Sequence, residues 1–173
     1  MAEVAGDSGW CIHLGATSND IVDSAVALQI KDSISLQDEA IRKLILTMCD
    51  LAERERDTVM LGRTHGQAAV PITFGLKVAV WVDEFKRHLD RLHEMAPRCI
   101  TGKFLGAVGS GAAQGERALE LQSLILGELG LEVPIATTQV VGRDRYIEWV
   151  GWMSNVATSI EKVLQEIRNL QRT

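Results

Sequence analysis

Residues 146–170 read YIEWVGWMSNVATSIEKVLQEIRNL. Tyr146, Trp149, Val150, Met153, Val156, Ala157, Ile160, Val163, Leu164, Ile167 and Leu170 recur at intervals of three and four along this stretch. That is the period of one apolar face of an α-helix. The face continues for about seven turns. A helix of this length outruns the core of a small domain. It predicts an all-α fold, a bundle of long helices with apolar surface shared between copies of the chain.

Upstream, the same period recurs. A first helix is expected from near Asp20, with Thr17, Ser18 or Asn19 as its N-cap. Ile21, Val22, Ala25 and Leu28 set its face, and Leu36, Ile41, Leu44, Ile45, Met48 and Leu51 extend it past Lys31-Asp32-Ser33. This reads as one long helix or two in series. Thr58 to Leu61 reads as a short extended link. Pro71 is expected in the first turn of a second long helix, whose stripe is Phe74, Val78, Trp81, Val82, Phe85, Leu89, Leu92 and Met95, and Pro97 is expected to end it. A shorter helix is expected from about Gly115 to Leu129, capped by Gly130, and residues 134–142 read as a loop. His88 and His93, five apart on the second helix, read as surface residues.

Composition agrees with a helical globule. The chain has 173 residues, 46% of them hydrophobic, with only three prolines and one tyrosine. A single helical domain over 1–173 is expected. A net charge of −5 argues against a nucleic-acid partner. No apolar run reaches membrane-spanning length, and residues 1–4 carry no signal-like core, so no membrane partner is expected. Cys11, Cys49 and Cys99 form no CxxC pair, which removes the usual zinc signature and points to a reducing, cytoplasmic setting.

Chemistry concentrates in two polar segments. Leu61-Gly62-Arg63-Thr64-His65-Gly66-Gln67 sets a histidine among glycines and hydrogen-bonding side chains, outside any periodic apolar run. Imidazole moves protons near neutral pH, and Arg63, Thr64 and Gln67 could hold an anion beside it. His13-Leu14-Gly15-Ala16-Thr17-Ser18-Asn19-Asp20 offers hydroxyls at a helix start. The free N–H groups there suit a carboxylate, although capping alone would also select these residues. The glycine-rich segment 101–111 supports Lys103 near an anion. Gly109-Ser110-Gly111 lacks the third glycine and the strand–helix setting of a dinucleotide site. Arg143-Asp144-Arg145, after Gln139, reads as a helix-start ion-pair cluster with a possible substrate role.

Four blocks in order resemble the adenylosuccinate lyases of the fumarase/aspartase superfamily. They are His13 to Asp20; Gly62 to Gln67 with Pro71-Ile72-Thr73-Phe74-Gly75; Gly102 to Gly109; and Thr138-Gln139 with Arg143-Asp144-Arg145. The ending Ala157 to Lys162 also fits. The resemblance implies the superfamily's all-α central domain, assembled as a homotetramer with shared active sites. It implies anti β-elimination of fumarate from adenylosuccinate, a small-molecule substrate, to give AMP, and the same cleavage of the succinyl-carboxamide ribotide, with no cofactor. By the same resemblance His65 is the general acid. Thr17 and Ser18 hold the succinyl carboxylates, Gln139 binds substrate, and Thr64, Lys103, Arg143 and Arg145 are further substrate-binding positions. The family's serine loop and N-terminal domain have no counterpart in these residues. The chain is therefore expected to be a central fragment with little activity alone. Alternatives are a related lyase, fumarase-like or carboxymuconate cycloisomerase-like, and a non-catalytic helical scaffold.

Overall fold

The computed structural model describes residues 2–171. Met1, Arg172 and Thr173, the ends of the expected 1–173 domain, lie outside the described residues. Four long helices account for most of the chain: α1 (Ser18–Arg54), α2 (Phe74–Cys99), α3 (Ala118–Leu129) and α4 (Asp144–Leu170). Between α1 and α2 lie two strands, β1 (Val59–Thr64) and β2 (Gln67–Thr73). The chain divides into two compact units, Met1–Ser33 with Met95–Glu148 and Ile34–Glu94 with Trp149–Thr173.

The first unit packs around Ala27, Leu126 and Leu131, flanked by Leu28 and Ile100. Leu131 sits there because α3 stops sharply at Gly130. Gly130 adopts φ 61°, its N–H reaches the Gly127 carbonyl, and the Leu131 N–H reaches the Leu126 carbonyl at 2.8 Å. This is a Schellman end, in which a left-handed glycine satisfies the last carbonyls of the helix.

The second unit packs Met48 of α1 against Val78, Trp81 and Phe85 of α2, with Val156 and Val163 of α4 closing on them. Phe74 meets Trp81 edge to face at 6.4 Å. The tryptophans of α4 are tied down by polar tips: Trp152 donates to the His88 carbonyl and Trp149 to the Gln37 side chain.

One open alternative is decided, and several local expectations are corrected. α1 is one continuous helix of 37 residues. In its polar middle the Ser33 hydroxyl donates back to the Gln29 carbonyl, one turn earlier. The expected extended link is the first strand of an antiparallel hairpin in which Leu61 faces Pro71 and Thr64 faces Gln67. Pro71 therefore lies in β2, before the helix. A two-stranded ribbon has two edges, where a missing N–H is tolerated. Pro97 lies inside α2, two positions before its last residue, Cys99. In the last turn a proline forfeits a single intrahelical bond. His88 is buried, 1% exposed; His93 is exposed, as expected, and contacts Asp38.

Candidate active site

In the first unit the start of α1 organises the loops around it. Asp20 is the third residue of the helix, and its carboxylate accepts the Thr17 N–H at 2.8 Å, half of a capping box. The same carboxylate accepts the backbone N–H of Leu105 and of Gly106 (3.3 and 3.0 Å). It also carries an ion pair with the Lys103 ammonium. One turn on, Ser24 exchanges hydrogen bonds with the Lys103 backbone through its hydroxyl. Asp23 accepts the Val141 N–H at 2.8 Å and the Arg143 guanidinium at 2.9 Å. Two buried carboxylates on consecutive turns thus fix the segments 103–106 and 141–143 to the Thr17-Ser18 helix start.

Close approach of these loops explains their glycines. Gly106, at φ 74°, has no room for a Cβ, which would sit 2.9 Å from the Gly15 carbonyl. Gly109, at φ 76°, abuts the carbonyls of Thr137 and Thr138. Gln114 props the other side by donating to the Gly15 carbonyl at 2.6 Å. Within this unit the segments around Gly15, Gly106–Gly109 and Thr137–Thr138 therefore converge. Thr17 is half-buried, Ser18 exposed and Gln139 exposed. No hydrogen bond among the described residues engages the Thr17 or Ser18 hydroxyl, which leaves both as donors for a ligand.

The basic candidates divide. Lys103 is fully buried, and the anion it meets is Asp20, with the Gly106 carbonyl as second partner. Arg145 donates to the Arg98 carbonyl and the Thr101 hydroxyl (2.7 and 3.0 Å), and its Nε is buried without a partner. Both side chains are spent on the frame. Arg143 is half-exposed. It stacks over Tyr146 at 5.2 Å, and its hydrogen bond to Asp23 holds its guanidinium firmly charged. Burial pushes the Tyr146 phenol up from its ordinary value.

In the second unit, His65 and Gly66 form the two-residue turn of the hairpin, with φ 54° and 73°. Positive φ at both positions is the primed turn whose twist matches an antiparallel ribbon. Glycine takes such an angle most freely; asparagine, aspartate and histidine are the side chains that tolerate it best. His65 and Thr64 are both exposed, so neither is held by packing. Gly62 allows the ribbon to close, because a Cβ there would strike the Val70 carbonyl beside the register shift between Leu61 and Arg63. Below the strands lies a cavity of about 720 Å³, lined among others by Met60, Arg63, Val70, Lys77, Glu166 and Leu170. The Lys77–Glu166 ion pair joins α2 to α4 at its wall.

Sequence reasoning missed Asp20, Asp23, Ser24 and Gln114 as organisers. The one available signal was Thr17-x-x-Asp20, the spacing of a capping box. The other bonds span 79 to 120 residues and leave no local trace.

A profile of the family described as lyase matches residues 2–173. The chain is 45% identical, over all of its length, to an adenylosuccinate lyase from Pyrococcus abyssi and covers 38% of it. It is 41% identical over its whole length to an N-acetyl-S-(2-succino)cysteine lyase from Enterococcus italicus, again covering 38%. Among solved structures, a fumarate lyase from Mesorhizobium sp. BNC1 superposes on 99% of the chain with a TM-score of 0.92 and 40% identity, the chain covering 40% of it. The chain thus spans well under half the length of these relatives.

Proposed function

The chain belongs to the lyase family matched over residues 2–173, and from that premise we propose that it is the central segment of an adenylosuccinate lyase. The reaction is an anti β-elimination. A base takes a proton from the succinyl carbon next to a carboxylate, that electron pair forms the double bond of fumarate, and the C–N bond breaks. The purine nitrogen leaves with the bond's electrons and needs a proton. In this reading His65 gives it. The base is assigned to the family's serine loop, outside these residues. Negative charge grows on the carboxylate beside the carbanion, so donors must already point at it. Thr17 and Ser18 take that role, with Gln139 and Thr64 as further substrate contacts and Arg143 as the basic partner. Lys103 and Arg145 serve by holding the loops in place.

The observation that carries this reading is His65 itself, an exposed imidazole in the two-residue turn that closes the ribbon, set between Thr64 and Gln67 and held by no packing. The reading extends to the succinyl-carboxamide ribotide as second substrate, to a cytoplasmic homotetramer with shared active sites, and to little or no turnover by the 173 residues alone.

A second reading is favoured by the Enterococcus relative. Elimination of fumarate from a succinyl group on sulfur needs the same carboxylate donors, but a thiolate leaves more readily than an amine and depends less on the acid. Supplying purified full-length enzyme with adenylosuccinate and with an S-succinyl thiol separates the two. Adenylosuccinate is expected to be the faster substrate and to be the one that loses most when His65 is replaced. Preference for the sulfur substrate would overturn the assignment.

A further inference from the structure

The second unit contains a polar chain, buried at His88 and Ser159 and reaching solvent at Lys162, that the proposed chemistry does not use. His88 Nε2 lies 2.8 Å from the Ser159 hydroxyl, and that hydroxyl lies 2.6 Å from Glu84 Oε1. Glu84 Oε2 meets the Lys162 ammonium. The links run from α2 to α4 and back: His88 and Glu84 sit one turn apart on α2, Ser159 and Lys162 three apart on α4. The Trp152 indole donates to the His88 carbonyl at 2.9 Å. His88 and Ser159 are 1% and 5% exposed.

Proton counting fixes the direction of every bond. Lys162 and Ser159 hold the Glu84 carboxyl below the usual carboxylate range, so it is ionised and can only accept. Ser159 has one proton, and it must point at Glu84. The hydroxyl is then an acceptor toward His88, so Nε2 must carry the ring proton. Nδ1 is left as a bare lone pair, buried and without a partner. A second ring proton would go onto Nδ1, where nothing accepts it.

We propose that His88 is a pH-sensitive latch between α2 and α4: as the neutral Nε2–H tautomer it donates into the Ser159–Glu84–Lys162 chain, and a second ring proton, for which Nδ1 has no acceptor, is taken up only when the joint opens. The charged groups that act on the ring are Arg91, Arg87 and Glu84 from α2 and Lys162 from α4. Three of the four are cations and oppose a charged imidazole; Glu84 alone favours one. Burial is the largest influence and pushes the His88 imidazole below its ordinary value. In the unfolded chain the ring returns to about 6.5. Below that pH the unfolded chain binds a proton that the latched state refuses. The latch thus contributes fully above about pH 6.5, and its contribution is lost as pH falls toward the folded-state value.

The test is denaturant unfolding of the 173-residue chain between pH 7.5 and 5, followed by tryptophan fluorescence. Trp81, Trp149 and Trp152 all report on this unit. In the native sequence the unfolding constant should rise by up to about tenfold per pH unit below pH 6.5, as one linked proton requires. In His88→Gln, which keeps a donor toward Ser159 but cannot titrate, the dependence should be shallower by that factor. Equal slopes would overturn the proposal. If His88→Gln does not fold, ring ¹⁵N shifts of native His88 decide it. A neutral Nε2–H ring at pH 6 supports the latch; a protonated ring, or an Nδ1–H tautomer, overturns it.

Discussion

At the scale of single residues, His65 shares with His13, at φ 66°, a backbone angle that no other candidate side chain adopts. Its φ of 54° places an ordinary side chain in a glycine-favoured well. Asparagine tolerates that well better, and Asn-Gly is the preferred pair for this turn. His65→Asn is therefore expected to stabilise the chain by up to about 1 kcal/mol, read as a raised denaturation midpoint. A lowered midpoint would show that the imidazole has a structural role instead. The histidine itself was legible in the sequence because it stood outside any apolar period; its turn geometry was not. Lys103 shows the opposite case. The sequence displayed a lysine among glycines, but its partner Asp20 lies 83 positions away. A pairing of that span writes no local pattern, so a buried, satisfied ammonium looked like a ligand for an anion. His88 was misread for a similar reason: lying five positions from His93, with no shared face, it read as a surface residue, while the ring itself turns inward onto Ser159, 71 positions away.

Among the elements, the long helices were the most legible, because three-and-four spacing repeated over many turns leaves little choice of structure. Gly130 was equally readable as a stop. The hairpin was not. Gln67-Ala68-Ala69-Val70-Pro71 has small side chains, one proline and an exposed course, so neither alternation nor β-branched content marked β2 as a strand. What holds it is a close backbone contact at Gly62. Gly62→Ala should push a methyl group into the Val70 carbonyl, and a loss of about 1–3 kcal/mol is expected, the usual range for overpacking. Amide exchange across residues 59–73 would locate the loss. Unchanged protection there would mean that the ribbon closes without needing the glycine.

For the molecule as a whole, α4 carries more apolar surface than its own unit covers. Val150, Ile160, Leu164, Ile167 and Leu170 are each at least 40% exposed. Exposed apolar surface arrayed along one long helix calls for a partner surface. Self-association of the 173-residue chain is the expected outcome in light scattering, and a monodisperse monomer across micromolar concentrations would contradict it. The central claim is that this fold delivers His65 as the acid of a fumarate-releasing elimination. The most direct measurement is fumarate release from adenylosuccinate by the full-length enzyme, with and without His65→Asn. The account predicts AMP and fumarate from the unaltered enzyme and at least about 100-fold slower release from the variant, with its fold intact. Equal rates from the two, or no release from the unaltered enzyme, would contradict it.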